Sequence, residues 1–420
     1  MSIVKNKKHL FYFLMALVLL RPSLDILSQW EFQIYKSLTL LSITDILGIL
    51  ISVFLLFYLL KNIKKIIKIP LFYPISVFLV LIFLSVFYSI EPFLSIKEII
   101  RIFTIFSLYF FAYLVIKNKK EFWILIKFII LSYFIPALFA LIQLAFGLGK
   151  LDQFGGFRRI YGTFAHPNPF AFYTFFILGL VLSITFIFLK DKINLDSFLE
   201  KQKMIKKENL FNKNFLIVFS ILLTFLLFMT YTRSAILCLA IFIIVFGIFK
   251  YRKFLLIGTF LFVLAYIFSD VFQERIWELI SLDPSGSVVW RFRLWRDIIP
   301  VYFWQPWFGY GLNTFTKITE YYRGFSWGSL EAHNDYLKII IENGIIGLTA
   351  YLSIIFGSLF YLAKIIKNSV NNEKILALGF LTIFICIYLA SSFDNILRET
   401  ALQWNLWILL GAWLKLKTYK

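Results

Sequence analysis

The chain has 420 residues, 60% of them hydrophobic and 20% aromatic, with 16% charged and a formal net charge of +20. A mean hydropathy of +0.83 excludes an ordinary soluble domain, and repeated apolar runs of about 20 residues imply a polytopic helical membrane protein. The positive excess lies mostly in short segments between those runs, which fits topology-setting lysine, and no nucleic-acid partner is expected.

In chain order the apolar runs are 10–27, 42–60, 69–88, 96–116, 122–148, 167–189, 215–231, 235–249, 254–269, 345–366, 375–390 and 401–414. The expected fold class is all-α, a single membrane domain over residues 1–420 with about twelve transmembrane helices. Residues 1–20 have the basic start and apolar stretch of a signal peptide but no small-residue cleavage site, so they read as a retained first span. An even number of spans puts both termini on one side, and lysines at both ends make that side cytoplasmic. The segments on that side then carry Lys5, Lys61, Lys64, Lys117, Lys120, the lysine-dense stretch 190–213, Lys364, Lys374, Lys417 and others, with Arg252 as their one arginine. The other eleven arginines (Arg21, Arg101, Arg158, Arg159, Arg233, Arg275, Arg291, Arg293, Arg296, Arg323, Arg398) fall in or beside the opposite loops. Lysine as a point charge orients a membrane protein among inner-membrane lipids, whereas arginine's rigid fork suits phosphate. An anionic ligand met outside the cytoplasm is therefore expected. Cys238 and Cys386 lie inside apolar runs and read as packing residues.

Two connections are long. Residues 190–214 are charged and low in complexity, as in a solvated cytoplasmic linker. Residues 270–343 hold Trp277, Trp290, Trp295, Trp304 and Trp307, with turn signals at Asp283-Pro284 and Gly309-Tyr310-Gly311. That segment is too apolar to be disordered. It should form short helices on the outer face, with its tryptophans at the lipid interface. Residues 332–343 read as one helix, ended by Asn343-Gly344.

Four clusters carry candidate chemistry. Arg158-Arg159 precede Thr163, His166, Pro167 and Asn168 at the start of the sixth span, where helix N-terminus and arginines together suit an anion. The plain alternative is snorkelling anchors, and His166 reads as a capping residue. Thr232-Arg233-Ser234 is a tight turn that holds a cation at the membrane edge. His333-Asn334-Asp335-Tyr336-Leu337 holds the one histidine of the long outer segment, and an imidazole is the usual general base. Arg291, Arg293, Arg296 and Asp297 share a helical stretch in which Arg293 and Asp297 are spaced to pair; Asp394 and Arg398 are spaced likewise near the last outer turn. The sequence has no P-loop, no His-Glu-x-x-His and no Cys/His cluster, so no nucleotide, cofactor or metal is expected.

These residues resemble those of the O-antigen ligase and polymerase superfamily of bacterial envelope proteins. The resemblance rests on Arg159-x-x-Gly162-Thr163-Phe164-x-x-Pro167-Asn168, on Thr232-Arg233-Ser234, and on Gly309-Tyr310-Gly311-Leu312-Asn313-Thr314-Phe315 followed by His333–Leu337 and Glu342-Asn343-Gly344. It covers residues 151–414, with 270–343 as the large extracytoplasmic loop of a GT-C-like bundle. It implies transfer of a glycan from an undecaprenyl-diphosphate carrier to an acceptor hydroxyl on the outer face of the bacterial inner membrane. His333 would be the base, and Arg159 and Arg233 would bind the diphosphate. Arg158, Arg291, Arg296, Asn334, Asp394 and Arg398 are the further expected substrate-binding residues. A ligase delivering the glycan to lipid A-core is favoured over a polymerase that extends a lipid-linked chain. A small-anion transporter would need paired halves and broken mid-membrane helices, neither of which the sequence displays. A structural assembly subunit would leave the arginine–histidine set without a use.

Overall fold

The computed structural model describes residues 2–29, 31–32, 41–152, 156–191, 212–249, 252–281, 286–324 and 328–417. Most of the expected 190–214 linker and the Asp283-Pro284 turn lie outside the described residues.

Each expected apolar run coincides with helix. The helices are α1 (Ser2–Leu24), α2 (Ile43–Lys61), α3 (Phe72–Leu84), α4 (Pro92–Val115), α5 (Lys119–Leu131), α6 (Phe134–Ala145), α7 (Pro167–Asp191), α8 (Lys213–Met229), α9 (Arg233–Phe249), α10 (Arg252–Phe268), α11 (Asp270–Ser281), α12 (Ser287–Tyr302), α13 (Phe315–Tyr322), α14 (Asp335–Lys367), α15 (Asn371–Ala390) and α16 (Thr400–Lys417). The protein is an all-α, multi-pass membrane bundle. Among the described residues seven helices are long and apolar enough to cross a membrane, or up to eight if a bent pair counts as one span. That pair is Arg252–Phe268 with Asp270–Glu278, bent by 102°. The helices Phe72–Phe87, Lys213–Met229 and Arg233–Ile248 are apolar but shorter. The expected twelve runs are thus all helical, while fewer pass a length test.

Local signals set many of the ends. Ser42 and Asp45 form a reciprocal capping box on α2, Asn118 accepts the Glu121 N–H at the start of α5, and Pro92 opens α4. The centre is α7, 94% buried over its apolar window, with α4 at 72%. Helix α16 is buried from Ala401 to Leu414. A helix apolar on every side belongs in the middle of a bundle. α16 packs on α4, α8 and α15 on α7, and α14 on α3 and α15. The buried Gln403 is satisfied by the Trp407 indole at 3.1 Å and the Ile396 carbonyl at 3.2 Å. Cys238 and Cys386 meet across α9 and α15, each thiol towards the other's carbonyl.

The segment 270–343 does form short helices, with a small core of its own: Trp290, Leu294, Ile298, Val301, Phe315, Ile318, Ala332 and Ile341. Trp277, Trp304 and Trp307 are exposed as expected of interface residues, but Trp290 is buried. Trp290, Leu294 and Ile298 recur at i, i+4 and i+8 and form the inward stripe of α12. The expected 332–343 helix begins at Asp335 instead, because His333 has φ 45° and cannot be helical. Its end was placed correctly: Gly344 has φ 64° and breaks α14 into Asp335–Asn343 and the long run that follows. Any Cβ at Gly344 would overlap the Trp307 carbonyl.

Candidate functional site

The His333 loop is fastened from both sides. Asp335 donates its N–H to the Ser391 carbonyl at 2.8 Å, and its Oδ2 accepts the Leu397 N–H at 2.8 Å. Tyr336 Oη reaches the Tyr388 carbonyl at 2.6 Å. These bonds bring the start of α14 against the α15–α16 connection, which carries Asp394. His333 Nδ1 then lies 3.5 Å from Asp394 Oδ1, an electrostatic contact longer than a hydrogen bond. The Trp290 ring stands edge-on to the imidazole, centroids 5.3 Å apart.

Asp394 has a second partner. Asn168 Nδ2 donates to Asp394 Oδ2 at 2.8 Å, and Asn168 Oδ1 accepts Arg159 Nη2 at 2.9 Å. Arg159 also donates to the Thr230 carbonyl at 2.7 Å, to Asp152 at 3.1 Å and to Thr232 Oγ1 at 2.9 Å. A continuous polar chain therefore runs Arg159–Asn168–Asp394–His333. Burial pushes the Asp394 carboxyl up, but His333 and Arg291 outweigh it and leave it below the ordinary carboxylate range. Asp394 is thus an anion facing Nδ1, which favours the tautomer protonated there and leaves Nε2 as the acceptor.

The first strand pairing near this site explains how Arg159 is held. Strands β3 (Lys150–Leu151) and β4 (Arg158–Arg159) follow an earlier pair, β1 (Glu31–Phe32) and β2 (Leu41–Ser42). In the antiparallel β3–β4 pair Lys150 faces Arg159. Gln143 Oε1 accepts the N–H groups of Tyr161 and Gly162, both at 2.9 Å, and fixes the segment that follows. His166 Nδ1 accepts the Asn168 N–H at 3.3 Å. It is the capping residue its sequence position suggests. Burial, then Lys150 and Arg159, pull its pKa down to about 4, so it is neutral at pH 7.

Arg233 opens α9 and is gripped by Glu278, with Nη1 to Oε2 at 2.9 Å, and by Ser287 Oγ. Glu278 Oε1 also accepts the Ser287 N–H at 2.7 Å. Arg233 therefore ties α9 to α11 and α12. Arg291 lies over the Trp290 ring, 5.5 Å from its centroid, and acts on Asp394 through charge.

The remaining expected site residues are placed elsewhere or serve other ends. Arg158 is exposed and donates to the Gly149 carbonyl at 3.0 Å. Arg296 is exposed and pairs with its neighbour Asp297. The expected Arg293–Asp297 pair is replaced by Arg323–Asp297 at 2.9 Å, since α13 ends against α12. The expected Asp394–Arg398 pair is likewise replaced: Arg398 binds Glu331, because the intervening 3-10 turn Ile396–Arg398 rotates it away. Asn334 is the N-cap of α14 and accepts the Leu337 N–H at 3.0 Å. Next to the dyad, Glu98 and Arg101 of α4 line one pocket with Asp335, Lys338, Glu342 and Arg398. Neither Glu98 nor Lys338 stood out in the sequence; their signal is charge inside or beside an apolar run.

The glycine-rich block is scaffolding for the histidine helix. Tyr310 and Gly311 donate their N–H groups to the Ile341 and Glu342 carbonyls at 3.2 and 2.8 Å, satisfying the end of Asp335–Asn343. Glu342 Oε1 in turn accepts the Phe315 N–H at 3.1 Å and caps α13. A Cβ at Gly309 would lie 2.5 Å from the Ile341 carbonyl. Of the five described non-glycine residues with positive φ, Asn313 and His333 fall in these motif blocks and Tyr231 directly precedes one. Such strain concentrates at functional sites and costs about 1–3 kcal/mol each.

Residues 218–352 match a family model described as O-antigen ligase. No curated protein matches the chain. The matched segment contains Arg233 and His333, whereas Arg159, Asn168 and Asp394 lie outside it and are joined to it by the geometry above.

Proposed function

We propose that the protein transfers a glycan from an undecaprenyl-diphosphate carrier to an acceptor hydroxyl, on the outer face of the bacterial inner membrane, and that it acts as an O-antigen ligase on lipid A-core. The family match supports glycan transfer of ligase or polymerase type. The observation that carries the finer reading is the polar chain from Arg159 through Asn168 and Asp394 to His333. It joins a cation suited to phosphate to a histidine suited to take a proton. With lysines at one end and this chain at the other, the termini are cytoplasmic and the site faces outward.

In this mechanism the Asp394 charge beside Nδ1 steadies the imidazolium that forms, and His333 Nε2 takes the proton of the acceptor hydroxyl. The acceptor oxygen forms a bond to the anomeric carbon as the bond from that carbon to the diphosphate oxygen breaks. The electron pair leaves with the diphosphate, and Arg159 and Arg233 stabilise the growing negative charge. Each donor so placed is worth roughly 3 kcal/mol in other enzymes. The proton on His333 passes to water or to the released diphosphate. The donor ester carries the energy, so no nucleotide takes part.

The test uses purified protein in detergent with a defined lipid-diphosphate glycan and lipid A-core. His333→Ala should lose transfer by about 10²–10⁴-fold, the worth of a general base, and still bind the donor. A His333→Ala protein that transfers at the wild-type rate removes the histidine from the mechanism. One glycan added per acceptor supports ligation, and a ladder of lengthening lipid-linked chains assigns polymerisation instead.

A further inference from the structure

Two aromatic rings adjoin the His333–Asp394 pair, and a third packs on one of them. Trp295 of α12 donates its indole N–H to the Ala332 carbonyl at 2.7 Å, so it is fixed to the residue immediately before His333. Phe393, the neighbour of Asp394, faces Trp295 with centroids 6.4 Å apart and planes tilted by 40°. Phe292 meets Trp295 edge-on at 5.3 Å. Phe393 is 50% exposed and Phe292 51%. One ring is thus bonded to the flank of the base, and another adjoins the base's carboxylate partner.

Exposed aromatics on a membrane protein ordinarily face lipid, but Arg296 argues against that here. It lies one turn beyond Phe292 on the same side of α12, and its side chain is 77% exposed. A guanidinium so exposed marks an aqueous surface, since a charge in hydrocarbon is costly. The occupant must therefore be both water-borne and partly apolar. A pyranose ring is such a body. It presents one face of C–H groups, which pack on the negative face of an aromatic ring, and an edge of hydroxyls that stays free for polar groups.

We propose that Trp295, Phe393 and Phe292 form a platform for the sugar ring of the acceptor, holding it by its C–H face so that its hydroxyl edge meets His333 Nε2. The proposal rests on the reading of His333 as the base. It assigns the acceptor because the proposed function puts the donor diphosphate at Arg159, which reaches Asp394 through Asn168, whereas the platform adjoins Asp394 through Phe393 and His333 through the Ala332 carbonyl. The platform is fastened to the flank of the base, where the attacking hydroxyl has to sit.

The test is steady-state transfer with acceptor and donor varied separately. Phe393→Leu is the main variant, because an exposed ring can change without loss of fold. It should raise KM for the acceptor about tenfold and leave KM for the donor unchanged, while Phe393→Tyr should behave as wild type. Unchanged acceptor KM in Phe393→Leu combined with Phe292→Leu overturns the platform, and an equal rise in donor KM overturns it in favour of the prenyl chain. A parallel measurement separates this from the transfer reading: binding of delipidated core oligosaccharide followed by tryptophan fluorescence. If wild type fails to transfer but binds the oligosaccharide and Phe393→Leu does not, the platform stands and the reaction does not. If neither protein binds it, the platform falls.

Discussion

The two ends of the bundle use cations differently. At the lysine end, Lys119 and Lys417 both reach Glu373, at 2.5 and 2.6 Å, and join the starts of α5 and α15 to the end of α16. Lys119 is 41% exposed there. At the other end Arg159 is 12% exposed and spreads its guanidinium over partners from β3–β4, α7 and the α8–α9 turn. A lysine needs only to be near its partner, whereas the arginine fixes three segments in one plane. Charge location suffices for a point contact, and bond direction is needed to hold several partners at once.

The widest gap between the ends should follow from swapping the two cations. Arg159→Lys keeps the charge but loses the fork, and transfer should fall by about 100-fold or more, as for loss of a preorganised donor. Lys417→Arg should leave transfer unchanged. Near-normal turnover by Arg159→Lys at normal membrane levels would erase the contrast. Asn168 sharpens it further. Asn168→Ala removes the link between Arg159 and Asp394 but neither charge, so a loss of about tenfold is expected, at the cost of one hydrogen bond to a charged group. Asn168→Asp should be worse, because it sets a second carboxylate against Asp394. Equal rates for the two variants would show that the amide merely fills space.

Weaker effects are expected at the lysine end. Lys119→Met should lower stability by no more than about 1 kcal/mol, as exposed ion pairs do, read from thermal unfolding in detergent. The smallest difference concerns pH. His166 is neutral in the folded protein with its pKa pulled down to about 4 by burial, Lys150 and Arg159, against about 6.5 when unfolded. Between those values the unfolded chain binds the extra proton, so stability falls as pH drops from about 6.5 towards 4 and is unaffected above. His166→Asn should flatten that part of the Tm profile. An unchanged slope would assign the acid sensitivity to other groups.

The helices were legible because an apolar run of membrane length has few alternatives. His333, Arg159 and Arg233 stood out as candidates, because imidazole and guanidinium are chemically distinctive and fall on one side of the expected topology. Their connections were not. Asn168 and Asp394 are 226 residues apart, and no local pattern foretells that their amide and carboxylate meet. The same holds for Arg398 with Glu331, 67 residues apart, where local spacing pointed to Asp394 instead. Trp290 misled because six tryptophans in one outer segment suggest an interface, while Leu294 and Ile298 at i+4 and i+8 marked it as core. In the motif block that also holds His333–Leu337, Gly309–Phe315 and Glu342–Gly344 hold the histidine helix by carbonyl and amide contacts, which no local pattern announces.

The break at Gly344 also bears on how the molecule opens. Residues 335–343 end in carbonyls satisfied by Tyr310 and Gly311, not by the next turn of α14. Amide exchange through the break should therefore be uncoupled. The nine-residue stretch that follows His333 should release deuterium together with the 309–315 loop, as one cooperative unit. The remainder of α14, packed on α3 and α15, should stay protected until the whole bundle unfolds.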